Sequence, residues 1–211
     1  MKSSLQYRRT DKAIINAFMK LASEIPFEKI TVQDILEEAL VSRYTFYAHF
    51  HDKFEIAERL QEELYQDFLS FMQEKIPEIH AKKMPAREHH QHFDFEIAQF
   101  SVKNPEKLRA IKNIHTETID FYRLLKSYFM DHYKETLPNH PEAELEAKIY
   151  ANMVAAVMEY CADYSTDLNS NISVSVMQAQ IHACLYGIGI HDAKSVQKAQ
   201  EYLFSLAHKE K

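Results

Sequence analysis

The sequence is poor in the residues that make tight turns, since its 211 residues include only two glycines and six prolines. Repeated β-hairpins need glycine, asparagine or proline at fixed turn positions, so this scarcity argues against a β-sandwich or a β-barrel. Hydrophobic residues make up 46% of the chain, and good helix formers such as Ala, Leu, Glu and Lys are plentiful. The composition predicts an all-α protein, with room for one large domain or for a small domain fused to a medium one.

Cysteine is also scarce: Cys161 and Cys184 lie far apart, without CxxC or histidine-paired metal spacing. Nothing in this spacing suggests a disulfide framework, and both cysteines are predicted to be small buried apolar residues. No apolar segment of the secretory-signal type follows Met1–Thr10. The apolar stretch Met153–Met158 is far shorter than the ~20 residues of a membrane span. We therefore expect a cytoplasmic protein that does not enter a membrane.

Charge is unevenly distributed along the chain. The net charge is −6, but residues 1–55 carry eight basic and eight acidic side chains, so the acidity belongs to residues 56–211. The first twelve residues form a basic arm in which Asp11 is the one acid and the cations are Lys2, Arg8, Arg9 and Lys12. Such an arm can meet phosphates, or it can be a solvated, disordered tail.

Apolar spacing and capping residues predict several short helices near the start of the chain. The first follows Thr10 and ends near Pro26. Thr31 with an acid three residues later predicts a capped second helix, and Ser42 and Asp52 predict caps for the next two. These three helices are predicted over about residues 32–39, 43–50 and 53–76.

Pro77 is predicted to end the fourth helix. The next stretch, Glu78–His92, lacks periodicity and is predicted to be a flexible connection. Pro138 and Pro141 predict another break. Further helices are predicted over about residues 93–102, 105–113, 115–136, 142–165, 174–188 and 193–207.

One segment carries a specific motif, which comprises Val41-Ser42-Arg43, Thr45-Phe46-Tyr47, Phe50 and Asp52-Lys53. With the helix that precedes it, this segment resembles the helix-turn-helix of the TetR family of transcriptional regulators, and the resemblance covers about residues 10–55. It implies a DNA-binding domain over residues 1–55 and a helical ligand-sensing and dimerisation domain over residues 56–211. The implied function is a ligand-responsive regulator, commonly a repressor, that binds a palindromic operator as a homodimer.

The third helix of this segment has one face for the core and one for DNA. Phe46 and Phe50 predict the buried face, which leaves a polar face for the roughly 12 Å wide major groove. Arg43 can pair bidentately with guanine, whereas Tyr44 and Thr45 can touch bases or phosphates. By the resemblance, Tyr47, His49 and Lys53 anchor phosphates and Thr31 and Gln33 contact the opposite edge of the groove, although packing and capping are alternative roles. The predicted DNA-binding residues are Thr31, Gln33, Ser42, Arg43, Tyr44, Thr45, Tyr47, His49 and Lys53.

The turn of this motif departs from the family at Leu40, where glycine is usual because the position tends to need positive φ. A leucine in that conformation costs roughly 1 kcal/mol. Either the turn differs in this chain or the strain is tolerated.

Two late helices are apolar on almost every face, and they resemble the pair that forms the four-helix dimer interface in the family. An ordinary monomer core is the alternative. A dimer would place two recognition helices about 34 to 36 Å apart, as a palindrome requires. The predicted interface residues are Ile149, Met153, Ala156, Val157, Tyr160, Met177, Ile181, Cys184 and Leu185.

The middle helices are rich in aromatic residues, which suits either an apolar or aromatic ligand cavity or simple core packing. Individual ligand contacts and the identity of the small molecule are therefore not assigned. No cofactor is predicted, and the histidines at 80, 89, 90 and 92 are interpreted as solvated rather than as a metal site. The aromatic residues concerned are Phe93, Phe95, Phe100, Phe121, Tyr122, Tyr128, Phe129 and Tyr133.

Two other classes of function are alternatives to a DNA-binding regulator. A helical enzyme is disfavoured because the chain lacks paired Glu-x-x-His motifs, a nucleophile-base pair and a Gly-rich phosphate loop. A helix-turn-helix adaptor that binds a protein gains mild support from Leu40 and from the acidic net charge. Arg43 and Lys53 retain chemistry suited to bases and phosphates, which favours DNA.

Overall fold

The computed structural model describes residues 4–81, 96–136 and 143–164, and within them the chain forms helices, one 3₁₀ turn and connecting loops without a strand. The fold is all-α, as the composition predicts. The elements are α1 (Ser4–Glu24), the 3₁₀ turn (Phe27–Lys29), α2 (Val32–Ala39), α3 (Arg43–Tyr47), α4 (Lys53–Ala81), α5 (96–103), α6 (Pro105–Ile111), α7 (Phe121–Thr136) and α8 (Ala143–Asp163).

Side-chain caps fix the starts of α2, α3 and α4, as predicted. At α2, the amide of Asp34 donates to Oγ1 of Thr31 at 3.2 Å, and the amide of Thr31 donates to Oδ2 of Asp34 at 2.8 Å. Ser42 caps α3 by accepting from the amide of Thr45 at 3.1 Å. Oδ1 of Asp52 accepts from an amide in the first turn of α4 at 2.9 Å. A cap of this kind contributes about 1 kcal/mol to helix stability.

The first helix begins earlier than predicted and the third ends earlier. Because α1 starts at Ser4, the described part of the basic arm is helical and the disordered-tail alternative is wrong for it. α3 ends at Tyr47 rather than near Phe50, because the next amides bond three residues back, as in the 2.8 Å bond from His49 N to Phe46 O. A 3₁₀-like turn thus closes the helix.

The fourth helix does not end at Pro77 but continues to Ala81. Proline removes one helical hydrogen bond, here to the carbonyl of Gln73. Both Gln73 and Pro77 are exposed, so that carbonyl can be satisfied by water. The loss falls near the end of the helix and therefore does not break it.

α7 begins at Phe121 rather than near residue 115, because polar side chains just before it form hydrogen bonds with backbone amides. Thr116 and Ile119 exchange two hydrogen bonds of 2.8 Å, one of them from the Ile119 amide to the Thr116 hydroxyl. Oδ1 of Asp120 accepts from the amide of Arg123 at 2.9 Å and caps the helix. Such side-chain bonds compete with helix formation.

The other predicted bounds agree with the structure to within a few residues where it describes them. α5 covers residues 96–103, α6 ends at Ile111 and α8 ends at Asp163. The predictions for residues 82–92, for the break at Pro138 and Pro141, and for the helices at 174–188 and 193–207 lie outside the described residues.

One buried apolar cluster extends from α1 to α8, and α4 is its axis. Ile56, Leu60, Leu64 and Phe68 recur every four residues on α4 and are essentially fully buried. The boundary expected between residues 55 and 56 therefore lies inside a continuous helix. α1 packs against α2 and α6, and α7 packs against α8. Among the described helices, none combines the length and the apolar character of a membrane span.

Candidate nucleic-acid interface

The turn between α2 and α3 has the left-handed residue that glycine usually supplies. Leu40 has φ 53° and ψ 41°, and among the described residues it is the one non-glycine with positive φ. The amide of Val41 donates to the carbonyl of Leu36 at 3.2 Å, which closes α2 as in a Schellman motif. The turn is therefore the usual one and the strain at Leu40 is tolerated.

α3 presents the two faces that the sequence predicts. Phe46 and Phe50 are 0% and 1% exposed, so they fix the inner face. On the outer face, Tyr44 is 80% exposed and Tyr47 is 53% exposed, and Arg43 is exposed beside them. An outward row of one guanidinium and two phenols can donate hydrogen bonds to bases or phosphates.

Gln33 on α2 lies next to Arg43 on α3. Nη2 of Arg43 donates to Oε1 of Gln33 at 3.3 Å, while Nε2 of Gln33 donates to Oε1 of Glu37 at 2.7 Å. The two helices thus share one polar surface, and Gln33 orients the guanidinium that is predicted to read guanine.

Three of the predicted hydroxyl contacts are engaged in caps. The hydroxyl of Thr31 donates to Oδ2 of Asp34 at 2.7 Å, and the Thr31 bonds, the hydroxyl first and then the amide, hold the pKa of the Asp34 carboxyl below its ordinary value. Oγ of Ser42 and Oγ1 of Thr45 lie 2.8 Å apart. Of the two roles predicted for Ser42, a helix cap and a DNA contact, the structure confirms the cap.

Lys53 points into the protein in the free chain. Its ammonium donates to the carbonyls of Phe27, Glu28 and Ile30 at 2.7, 3.1 and 2.8 Å, and it lies 4.7 Å from the centre of the Phe27 ring. These bonds use all three ammonium protons and tie the start of α4 to the 3₁₀ turn. The phosphate contact of Lys53 stays a prediction.

His49 is likewise held inside, at the end of the recognition segment, by which we mean α3 and the turn that follows it to Phe50. Its side chain is 2% exposed, and Nδ1 lies 3.0 Å from Oδ1 of Asp11. The ring stacks on Tyr7 with centroids 3.9 Å apart, and the Tyr7 hydroxyl donates to the carbonyl of Ala48 at 3.4 Å. Nη2 of Arg59 on α4 binds the other oxygen of Asp11. One carboxylate therefore joins α1, the end of the recognition segment and α4.

Sequence reasoning missed this network because it starts helix one only after Thr10. Tyr7 and Asp11 are four residues apart, which places them on one face as soon as the helix is extended to Ser4. The signal in the sequence that could have indicated this network is Asp11, the one acidic residue among the cations of the basic arm.

Within the described part of the chain, α8 has an apolar face that the other helices leave open. Ala147, Ala151, Val154 and Met158 are buried on its inner face. The described members of the predicted interface lie on the outer side, with Ile149, Met153 and Val157 partly buried and Ala156 and Tyr160 exposed. Met177, Ile181, Cys184 and Leu185 lie outside the described residues.

The aromatic residues of α5 and α7 pack mainly against α4 and α8. The Phe68 ring meets those of Phe100, Tyr128 and Phe129 edge to face at 5.1 to 5.7 Å. Such pairs contribute about 0.5–1.5 kcal/mol beyond the area they bury. Phe93 and Phe95 lie outside the described residues, as do the side chains of the four histidines near residue 90.

Tyr122 is the exception in this packing. It is 6% exposed, and its hydroxyl is the one buried side-chain polar atom without a hydrogen-bond partner among the described residues. Burial, with smaller contributions from Glu159 and Asp163, raises the pKa of the phenol, so it stays a neutral donor. Burial also raises the pKa of the Cys161 thiol to about 11, as expected for an inert apolar cysteine.

A cleft of about 360 Å³ lies beside the contact between α1 and α6. Five of its six lining residues are polar or charged, and none of the predicted aromatic residues is among them. The lining residues are Asn16, Met19, Lys20, Ser23, Glu106 and Arg109.

Comparison with known proteins places this geometry in context. Residues 14–60 match the family described as bacterial regulatory proteins, tetR family. No curated protein is significantly similar in sequence to this chain.

Solved structures share the fold over most of the chain. A gamma-butyrolactone receptor (ArpA-like protein) is 14% identical, with a TM-score of 0.57 over 85% of this chain and 98% of its own. A protein from Shewanella sp. PV-4, provisionally described as a tetR family transcription regulator, is 18% identical, with a TM-score of 0.53 over 82% of this chain and 95% of its own. At these identities the likeness establishes the fold: an N-terminal helix-turn-helix followed by a helical domain.

Proposed function

We propose that this chain is a transcriptional regulator of the tetR family that binds duplex DNA through α2 and α3, and the match of residues 14–60 to the family of bacterial regulatory proteins supports this. The observation that carries the proposal is the outer face of α3. Arg43, Tyr44 and Tyr47 are exposed there while Phe46 and Phe50 anchor the helix from within. A short helix held in this way can enter the major groove without loss of the core.

The proposed roles of the contacts follow from their placement. Arg43, positioned by Gln33, reads bases together with Tyr44, and Tyr47 contacts the backbone. Thr31, Ser42 and Thr45 keep their caps and lie at the rim of the same surface. His49 and Lys53 contact phosphates only if the bonds that hold them in the free chain are exchanged for phosphate oxygens.

We propose a homodimer assembled through the outer face of α8 with the help of residues beyond 164. Leu145, Tyr160 and Tyr164 are 56%, 42% and 55% exposed, and such large apolar side chains in a row favour burial by a partner. A two-fold dimer would present two recognition helices to a palindromic operator.

The remaining proposals concern the response of the regulator. Residues 1–55 are the reading domain and residues 56–211 the sensing and dimerising domain of a cytoplasmic repressor released by a small molecule. The packing of α1 on α6 links the two parts. That one protein of this fold is named as a gamma-butyrolactone receptor supports a small molecule as the class of ligand.

Binding of a fluorescently labelled random-sequence duplex, measured by anisotropy over a range of salt concentrations, tests the proposal. Each neutralised phosphate contributes about −0.9 to the slope of log affinity against log salt, so several contacts predict a slope of several units. Failure to bind duplex even at low salt would contradict DNA binding and would favour an adaptor that binds a protein through the same surface.

A further inference from the structure

We propose that the first three turns of α1 form a second phosphate-binding surface, made by Arg8 and Lys12 with Arg9 and positioned against the recognition segment by Tyr7 and Asp11. This inference rests on the proposed DNA binding and extends it to a helix outside the α2–α3 motif. Its partner is the sugar-phosphate backbone beside the groove that α3 enters.

The position of these turns is fixed by contacts to the end of the recognition segment. The Tyr7 ring stacks on His49 at 3.9 Å with an angle of 21° between the planes, and its hydroxyl reaches the carbonyl of Ala48. One turn later, Asp11 binds His49 at 3.0 Å. The N-terminal end of α1 is therefore held next to the recognition segment and cannot move independently of it.

The cations of these turns lie beside Tyr7 and Asp11, which form the face of α1 that contacts the recognition segment. Arg8 and Lys12 each follow an inward residue by one position, which is about 100° around the helix, and they are four residues apart, in one row. Both are exposed, as is Arg9. In the described part of the chain, none of the three has an ion-pair or hydrogen-bond partner.

Three other cations of the first sixty residues are already neutralised or engaged. Lys20 pairs with Glu38 at 2.8 Å, and Lys53 is bound by three backbone carbonyls. Arg59 binds Asp11 and, at 3.0 Å, Glu63.

The one acid of the arm cannot neutralise its neighbours, since both oxygens of Asp11 are used by His49 and Arg59. The fold thus leaves a row of unpaired positive charge at one edge of the recognition surface. Unpaired surface cations add little to stability, but each can neutralise a phosphate.

The experiment compares the salt dependence of DNA binding for the full-length chain and the double variant Arg8→Gln/Lys12→Gln. Two lost phosphate contacts predict a log-log slope less steep by about 1.8. The control Lys103→Gln/Lys148→Gln removes the same charge from exposed sites on α5 and α8 and should leave the slope unchanged. An unchanged slope in the first variant overturns the inference while wild-type binding upholds the proposed function; absence of wild-type binding overturns the proposed function itself.

A second pair of variants tests the positioning. Tyr7→Leu keeps every cation but loses the stack on His49, and it should make the slope less steep, whereas Tyr7→Phe keeps the stack and should retain the wild-type slope. Circular dichroism and thermal unfolding confirm that both variants fold. A wild-type slope in Tyr7→Leu would overturn the role of Tyr7, because a mobile basic arm would then serve equally well.

Discussion

The two parts of the molecule each contain one energetically unfavourable feature, but of different kinds. In residues 4–60 it is a backbone conformation, the positive φ of the exposed Leu40. In the described residues between 96 and 164 it is a side-chain group, the buried hydroxyl of Tyr122. Leu40 is 92% exposed and costs nothing in packing, but its φ of 53° is unfavourable for a residue with a Cβ. The ring of Tyr122 is buried in the core, yet its hydroxyl is buried without a hydrogen-bond partner in the part of the chain that the structure describes.

The difference reflects the structural requirements of each region. The hydrogen bonds that end α2 and the Ser42 cap that starts α3 fix the turn at Leu40 from both sides. These contacts hold the recognition helix in position and stabilise the turn despite the strain at Leu40. Tyr122 lies in the proposed sensing domain, and its hydroxyl is a buried donor without a partner among the described residues, to which a bound ligand could supply an acceptor.

Of the substitutions that remove these two unfavourable features, Tyr122→Phe should change the free energy of unfolding more. Removing a buried hydroxyl that has no partner should raise the free energy of unfolding by about 1 kcal/mol, measured by urea denaturation. Tyr47→Phe is the control, because Tyr47 is 53% exposed and its hydroxyl meets water. A loss of stability in Tyr122→Phe would mean that the hydroxyl is hydrogen-bonded in solution and that the contrast between the regions is unfounded.

Leu40→Gly should give a smaller gain, of about 0.5 kcal/mol. Relief of the left-handed conformation contributes about 1–2 kcal/mol, and the greater freedom of glycine in the unfolded chain offsets roughly 0.5–1 kcal/mol of it. Leu40→Ala is the matched control: it keeps the Cβ and the strain, so its stability should stay near wild type. Equal gains for Gly and Ala would show that the backbone of the turn is not the source of the strain.

The elements that sequence predicts well are those whose causes are local. Thr31, Ser42 and Asp52 each start a helix with a bond to a residue three positions on, and their helices begin where the pattern places them. The start of α1 was missed because its added turns are held by Tyr7 against His49, a contact between distant parts of the chain. Pro77 was misjudged because the exposure of its surroundings is a tertiary property.

The candidate site divides in the same way. The inner and outer faces of α3 follow from the spacing of Phe46 and Phe50, and the structure confirms them. The engagement of Lys53 by the 3₁₀ turn and of His49 by Asp11 joins positions more than twenty residues apart. No local pattern encodes such pairs, so the sequence predicts which residues surround the site but not which are already bound within the protein.

Selection of bound sequences from random duplex DNA, with wild-type protein and with Arg43→Ala, tests the central claim most directly. If α3 reads bases through Arg43, wild-type protein should enrich a palindromic motif at two half-sites about one helical turn apart, or a multiple of it, and Arg43→Ala should lose the guanine preference within each half-site. No enrichment by the wild-type protein at low salt would contradict the claim that this helix-turn-helix reads DNA.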